Sequence, residues 1–243
     1  MKLLRNSIYI VFGLSMALSG CEEDSTGGLS QITHFPEFTY NGEEFVIVEK
    51  GTEFNDPGVT AAESGASIPV TVTSSGTYFG GTLDVTKPDI YTVSYFATNS
   101  DGYPGARSRT VIVAGQGDLV TNIEGLYTST VGRDGAATEQ YTDMEYVLIR
   151  KTGDNTYELS DGIGGYYDLG RAYGPGYAAA PPAVITANDI TANDFTFGTF
   201  AVGTFGGNVT MVSFAVDPGA RTITFKSTWR GYTFNVTLTQ VEL

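Results

Sequence analysis

Beyond residue 34 the chain is written in short runs of alternating apolar and polar residues, recurring about every ten positions. Between them stand turn pairs such as Asn41-Gly42, Pro57-Gly58, Asp101-Gly102 and Pro218-Gly219. Successive side chains of a strand point to opposite faces, so a period of two broken by tight turns specifies antiparallel sheet. Helical spacing is almost absent. The clearest run is Thr222–Trp229, where Ile223, Phe225, Ser227 and Trp229 share one face and Thr222, Thr224, Lys226 and Thr228 the other. Across Arg230-Gly231 the pattern resumes with Tyr232, Phe234, Val236 and Leu238 on one face, which predicts a hairpin with one side on a core. The chain is therefore expected to be all-β.

Two β units are expected, at 34–114 and 122–243, joined by a linker at 115–121 whose Gly115-Gln116-Gly117-Asp118 reads as a hinge. In the first, strands are expected at 45–48, 68–73, 91–97 and 110–114. Tyr91, Val93, Tyr95 and Ala97 share a face, and Asn99-Ser100-Asp101-Gly102 makes the turn that follows. The second opens with Gly125-Leu126-Tyr127, continues through a strand at 146–151, and returns through Tyr157-Glu158-Leu159 after an Asp154-Asn155 turn. Its alternation suits either an antiparallel sandwich or a partly closed barrel. The echo of Ile185-Thr186-Ala187-Asn188-Asp189 in Ile190-Thr191-Ala192-Asn193-Asp194 has too few copies for a repeat architecture and reads as successive turns.

The start of the chain is different. Lys2 and Arg5 precede an apolar run from Ile8 to Leu18, and Leu18-Ser19-Gly20-Cys21 follows. A basic start, apolar middle and small residues at the cut make a secretory signal over 1–20, too short for a spanning helix, which needs about 20 apolar residues. A small-residue cleavage site ending on the chain's one cysteine resembles the lipobox of bacterial lipoproteins. That resemblance implies acylation of Cys21, which becomes the first residue of the mature protein, and membrane contact through the lipid. Residues 21–33, acidic at Glu22-Glu23-Asp24 and bearing Gly and Ser, read as a flexible tether.

Loss of Lys2 and Arg5 leaves 11 basic residues against 27 acidic, a net charge near −16. Nucleic acid, which demands a basic face, is excluded as a partner. With Cys21 acylated, no disulfide and no thiolate metal site is available. His34 is the one histidine and lies at the edge of the tether, so a histidine-based catalytic set is not expected. No phosphate-binding loop, calcium loop or zinc helix is present, so neither cofactor nor metal is expected. Acidic pairs such as Asp143 with Glu145, or Asp189 with Asp194, stand in no enzyme motif and read as solvated surface. A catalytic role is not expected.

Val48-Glu49-Lys50-Gly51-Thr52, Asn55-Asp56-Pro57-Gly58-Val59, the run from Pro88 to Tyr95 and Thr110-Val111-Ile112-Val113 resemble bacterial surface immunoglobulin-like repeats in order and spacing. Asp89 replaces the glycine usual before the tyrosine strand. The resemblance implies a β-sandwich spacer or adhesion module without catalytic residues. Tyr91 suits a tyrosine-corner role in it.

Within the second unit, residues 162–177 break the alternation, with four tyrosines, six glycines, one Asp and one Arg in sixteen positions. Unstructured loops of that length are uncommon in compact domains and often functional. Tyr166, Tyr167, Tyr173 and Tyr177 offer flat apolar faces with hydroxyls, Asp168 acceptors and Arg171 a planar donor fork. This is chemistry for a saccharide, whose C–H face stacks on a ring while its hydroxyls exchange hydrogen bonds. The same tyrosines folded inward would make a small core of their own, and both arrangements stay open. Trp229 is a further candidate, although its parity with Ile223 and Phe225 puts it on the core side, at the rim of the sheet.

The block 164–174 and the Gly125-Leu126-Tyr127 opening resemble a C-terminal domain of Bacteroidetes-type outer-membrane lipoproteins of the SusE-like kind. The resemblance implies a polysaccharide-binding accessory protein beside SusC/SusD-like uptake proteins, with Glu22-Glu23-Asp24 directing it to the cell exterior. The alternative it allows is a structural lipoprotein that docks on the uptake complex.

Overall fold

The computed structural model describes residues 32–180 and 183–243. The predicted signal segment, Cys21 and the tether up to residue 31 lie outside the described residues. From Phe35 to Leu243 the chain forms one compact unit, all-β, with no α-helix among the described residues and two short 3₁₀ turns, Glu139–Tyr141 and Pro175–Tyr177.

Its first half is a sandwich. One sheet runs β1 (Glu37–Tyr40), β3 (Val59–Glu63), β4 (Ala66–Ile68), and the other runs β2 (Phe45–Glu49), β7 (Pro104–Ala114), β6 (Asp89–Thr98), β5 (Thr71–Gly76). β6 keeps the expected parity, with Tyr91, Val93, Tyr95 and Ala97 buried. Tyr91, Val93 and Tyr95 pack with Val48, Val111 and Val113 against Phe38 and Tyr40 of the facing sheet. The single strand expected at 68–73 is instead two, on different sheets. Pro69 lies in the gap between β4 and β5, where its missing N–H costs no ladder bond.

The second half is one ten-stranded antiparallel sheet. Its order is β11 (Ala179–Ala180), β14 (Phe200–Val202), β15 (Asn208–Asp217), β16 (Thr222–Trp229), β17 (Tyr232–Gln240), β8 (Gly125–Arg133), β9 (Met144–Lys151), β10 (Thr156–Leu159), β12 (Val184–Asp189), β13 (Asp194–Phe197). The β16–β17 hairpin forms across Arg230-Gly231, with Trp229 paired to Tyr232. Register shifts between Met211 and Ser213, Tyr127 and Thr128, and Ala187 and Asp189 mark bulges. Bulges bend strands and sharpen twist, and the sheet curls into a half-barrel, the partly closed barrel rather than a second sandwich. The pentad echo divides between two structures: its first copy ends β12, and its second makes the turn into β13.

Residues 161–174 fold through successive turns against the inside of this curl. Ile163, Tyr166 and Tyr167 join the same core as Val131 and Val236 of the sheet. The Ser129 hydroxyl donates to the Gly164 carbonyl at 2.8 Å. The glycines let backbone, rather than side chain, touch the sheet: a Cβ at Gly164 would stand 2.6 Å from a Val236 methyl, at a φ of +68°. We expect Gly164→Ala to destabilise the chain by about 2 kcal/mol, the sum of left-handed strain and overpacking; urea unfolding with an unchanged midpoint would contradict that.

The expected hinge is absent. Gly117 N–H donates to the Glu124 carbonyl at 2.8 Å, Leu119 N–H to the Asn122 carbonyl at 2.9 Å, and Gln240 Nε2 to the Gly117 carbonyl at 2.8 Å. Three backbone N–H groups donate to the Asp118 carboxylate, whose pKa falls to about 2, and Leu119 and Ile123 are buried in the core. Two apolar anchors thus turn a Gly-rich linker into a fixed corner.

A third apolar cluster fills the seam. Ile47, Phe79, Ile90, Ile112 and Ala114 of the sandwich meet Leu126, Tyr146, Leu148 and Val241 of the half-barrel. Lys50 Nζ reaches the Glu124 carboxylate at 2.9 Å, and the Arg150 guanidinium lies 3.8 Å from the centre of the Phe79 ring. Buried Asp89 organises this edge, because its carboxylate accepts the backbone N–H groups of Tyr78, Phe79 and Gly80 at 2.9–3.1 Å. A glycine there would leave that loop unheld.

Candidate functional site

The aromatic residues of 166–177 come together with side chains from four other places, among them the 3₁₀ turn that carries Tyr141. The β16–β17 turn brings Trp229, Arg230 and Tyr232; the end of β8 brings Arg133; the loop after β14 brings Phe205. Tyr141 stacks on Tyr166 at 4.2 Å between ring centres, and Tyr167 meets Trp229 edge-on at 5.7 Å. Above them Tyr177 meets Phe205 at 4.8 Å and Tyr173 at 5.2 Å. The Trp229 indole N–H donates to the Gly206 carbonyl at 3.0 Å, so its polar edge is satisfied inside the protein.

The structure divides the seven residues that the sequence singles out. Tyr166, Tyr167, Asp168 and Trp229 are buried, each at 7% exposure or less, and form the floor of the cluster rather than a face open to a ligand. The inward arrangement of Tyr166 and Tyr167 follows from the hollow of the curled sheet, which only large side chains fill. Tyr173 is 47% exposed, Arg171 is exposed and Tyr177 half-exposed, and these three remain at the surface. Asp168 is engaged within the protein: the Tyr78 hydroxyl of the sandwich donates to its Oδ2 at 2.5 Å. Burial raises the pKa of Asp168, and the Tyr78 hydrogen bond opposes that rise.

Three arginines ring the rim. Arg133 lies over Tyr166 and Tyr232, at 5.0 and 4.7 Å from the ring centres to the guanidinium carbon. Arg171 lies over Tyr166 at 5.8 Å, and Arg230 over Trp229 at 4.8 Å. The hydroxyls of Tyr166, Tyr173 and Tyr141 hold Arg171 protonated and push its pKa up. Burial alone would raise the Tyr166 hydroxyl, but Tyr141, Arg171 and Arg133 together outweigh it and hold Tyr166 below the ordinary tyrosine value. No group of three or more His, Cys, Asp or Glu side chains suited to a metal ion occurs among the described residues.

Residues 38–113 match the family model of the bacterial surface protein Ig-like domain, and residues 116–240 match that of a family described as a C-terminal domain. The chain belongs to this C-terminal-domain family. A solved structure, the lipoprotein BT2262 from Bacteroides thetaiotaomicron, is similar at 26% identity and a TM-score of 0.64, over 85% of this chain and 100% of that one. No curated protein matches. In the Ig-like domain of this family member, the Asp56-Pro57-Gly58 motif has a visible purpose: the Asp56 carboxylate receives the Tyr95 hydroxyl at 2.8 Å and the buried Arg109 guanidinium. The Tyr91 hydroxyl donates to the Lys87 carbonyl at 2.8 Å, the expected tyrosine corner. A second one, Tyr127 to the Ile123 carbonyl at 2.6 Å, opens the C-terminal domain.

Sequence reasoning missed Tyr141, Phe205, Arg133, Arg230 and Tyr232. Arg230 and Tyr232 flank the predicted hairpin turn next to Trp229, so the hairpin was enough to place them. Arg133 required the pairing of β17 with β8, in which it faces Phe234, and no local pattern announces that.

Proposed function

We propose that this chain is a cell-surface, lipid-anchored glycan-binding accessory protein without catalytic activity. The observation that carries the reading is the rim of exposed Tyr173 and half-exposed Tyr177 beside Phe205, set on a buried aromatic floor. Rings fixed from below lose little rotamer freedom when a sugar ring stacks on them, which favours weak, sequence-tolerant recognition of polymer. The Ig-like surface domain and the similarity to a lipoprotein agree with the cleavage-and-acylation pattern at Cys21. The outer membrane, with the rim facing the exterior, is the location this reading implies, and SusC/SusD-like uptake proteins are the partners it suggests.

The test is a titration of the full chain, purified in detergent, against a panel of polysaccharides, beside Tyr173→Ala/Tyr177→Ala. Expected is saturable binding to at least one polysaccharide, weakened about tenfold or more in the double variant, a loss of ~1.4 kcal/mol. Binding that ignores the substitutions would move the site elsewhere. A chain that binds no polysaccharide would instead favour a docking role on an uptake complex.

A further inference from the structure

Arginines in this protein are scarce, and three of the seven described ones are answered by a carboxylate. Against 27 acidic residues the chain has 13 basic ones. Arg109 pairs with Asp56, Arg150 with Glu158 and Arg221 with Glu242. Among the described residues, no carboxylate stands within ion-pair distance of Arg133, Arg171 or Arg230, although acids outnumber bases two to one. Arg107, on the Ig-like domain over Phe38, is the one other arginine in that position. Three of the four unanswered guanidinium groups therefore converge on one aromatic rim.

Their contacts hold them there without neutralising them. Arg133 donates to the Tyr167 hydroxyl at 3.5 Å, and Arg230 to the Phe205 carbonyl at 2.7 Å. A guanidinium has five N–H donors in a fixed fork, so these bonds occupy only part of the set. Arg133 and Arg171 share the Tyr166 ring, which keeps both charges within a Debye length of one bound group, about 8 Å at physiological ionic strength. The nearest acid in sequence, Asp134, is turned to the β17 edge, where its Oδ1 accepts the Thr233 N–H at 2.8 Å. Elsewhere the strongly negative surface repels polyanions, so a local arginine set is what would let one approach here.

We propose that the rim of Tyr173 and Tyr177 recognises an acidic saccharide, with Arg133, Arg171 and Arg230 receiving its carboxylate or sulfate groups. This rests on the glycan-binding reading and narrows it from neutral to anionic polymer. Planar bidentate recognition of such groups is what arginine does and lysine does not.

The full chain in detergent is titrated with polygalacturonate, chondroitin sulfate and neutral dextran, at low and high salt. One acidic polymer is expected to bind at least tenfold more tightly than dextran and to weaken as salt rises. Arg133→Gln/Arg171→Gln/Arg230→Gln is expected to remove that preference and its salt dependence. Exposed Arg171→Gln alone, checked by its melting temperature, should retain the fold and lose part of the preference, while Arg107→Gln should lose none. Dextran bound as well as both acids, or acid binding untouched by the triple substitution, overturns the anionic assignment and leaves glycan binding standing. Failure of all three polymers, and of a wider panel, overturns both.

Discussion

Arg109→Leu lowers the unfolding free energy of the chain by about 3–5 kcal/mol, the largest effect expected of any single exchange considered. The side chain is wholly buried, and its donors serve Asp56, the Tyr95 hydroxyl, and the carbonyls of Glu43, Asn41 and Gly58. Its guanidinium also lies 5.8 Å from the centre of the Tyr40 ring and 5.7 Å from that of Tyr95. Leucine fills part of the volume but leaves the Asp56 carboxylate without its counter-charge and takes one donor from each of three carbonyls, and uncompensated polar groups are what make broken buried pairs costly. Arg109→Lys keeps the charge without the planar fork and should recover only part of the loss. Guanidinium unfolding of the three proteins measures the series. A leucine variant within about 1 kcal/mol of the wild type would show that the Asp56 motif is not what braces the sandwich.

The second large effect is a dependence on pH. Asp161 is buried beneath the 162–177 segment, its Oδ1 accepting the backbone N–H groups of Ile163 and Ala179 at 2.8 and 3.1 Å, while its Oδ2 has no partner. Desolvation, reinforced by nearby Asp168 and opposed by those N–H donors, pushes its pKa up from 3.8 to about 7. The folded protein then holds a proton that the unfolded chain releases, so stability is greatest below the unfolded pKa and falls as pH rises toward the folded one. A displacement from 3.8 to about 7 corresponds to about 4 kcal/mol lost across that window. Asp161→Asn cannot ionise and should flatten the profile. At about pH 8 it should be more stable than the wild type by ~2 kcal/mol, the remainder going to its own unpartnered amide. Thermal unfolding across pH decides this, and superimposable profiles would dismiss it.

How much of this was legible depends on whether the cause was local. The β16–β17 hairpin, the parity of β6 and the turn at 99–102 follow from neighbouring residues, and the sequence shows them directly. The inward face of Trp229 follows from its parity too. The strand order of the half-barrel does not, because β8 pairs with β17 across nearly the whole C-terminal domain. The fate of Asp168 was equally hidden: its partner Tyr78 lies 90 residues away in the other domain. Tyr166 and Tyr167 read as an exposed platform or an inner core with equal right, since composition does not reveal the hollow they fill. Gly117 misled because flexibility was inferred from glycine alone, while the anchors Leu119 and Ile123 were the better guide.

The loop held by Asp89 bears on how such chains diversify. A side chain that belongs to the Ig-like domain sets the position of Tyr78 and Phe79, and these are spent on the neighbouring domain. An Ig-like module carrying glycine at that position, spliced in as a replacement, would supply a sandwich without the held loop that brings Tyr78 to Asp168 and the Phe79 ring to Arg150. Recombination at residue 115 alone is thus expected to yield chimeras with a buried carboxylate and an apolar seam left bare.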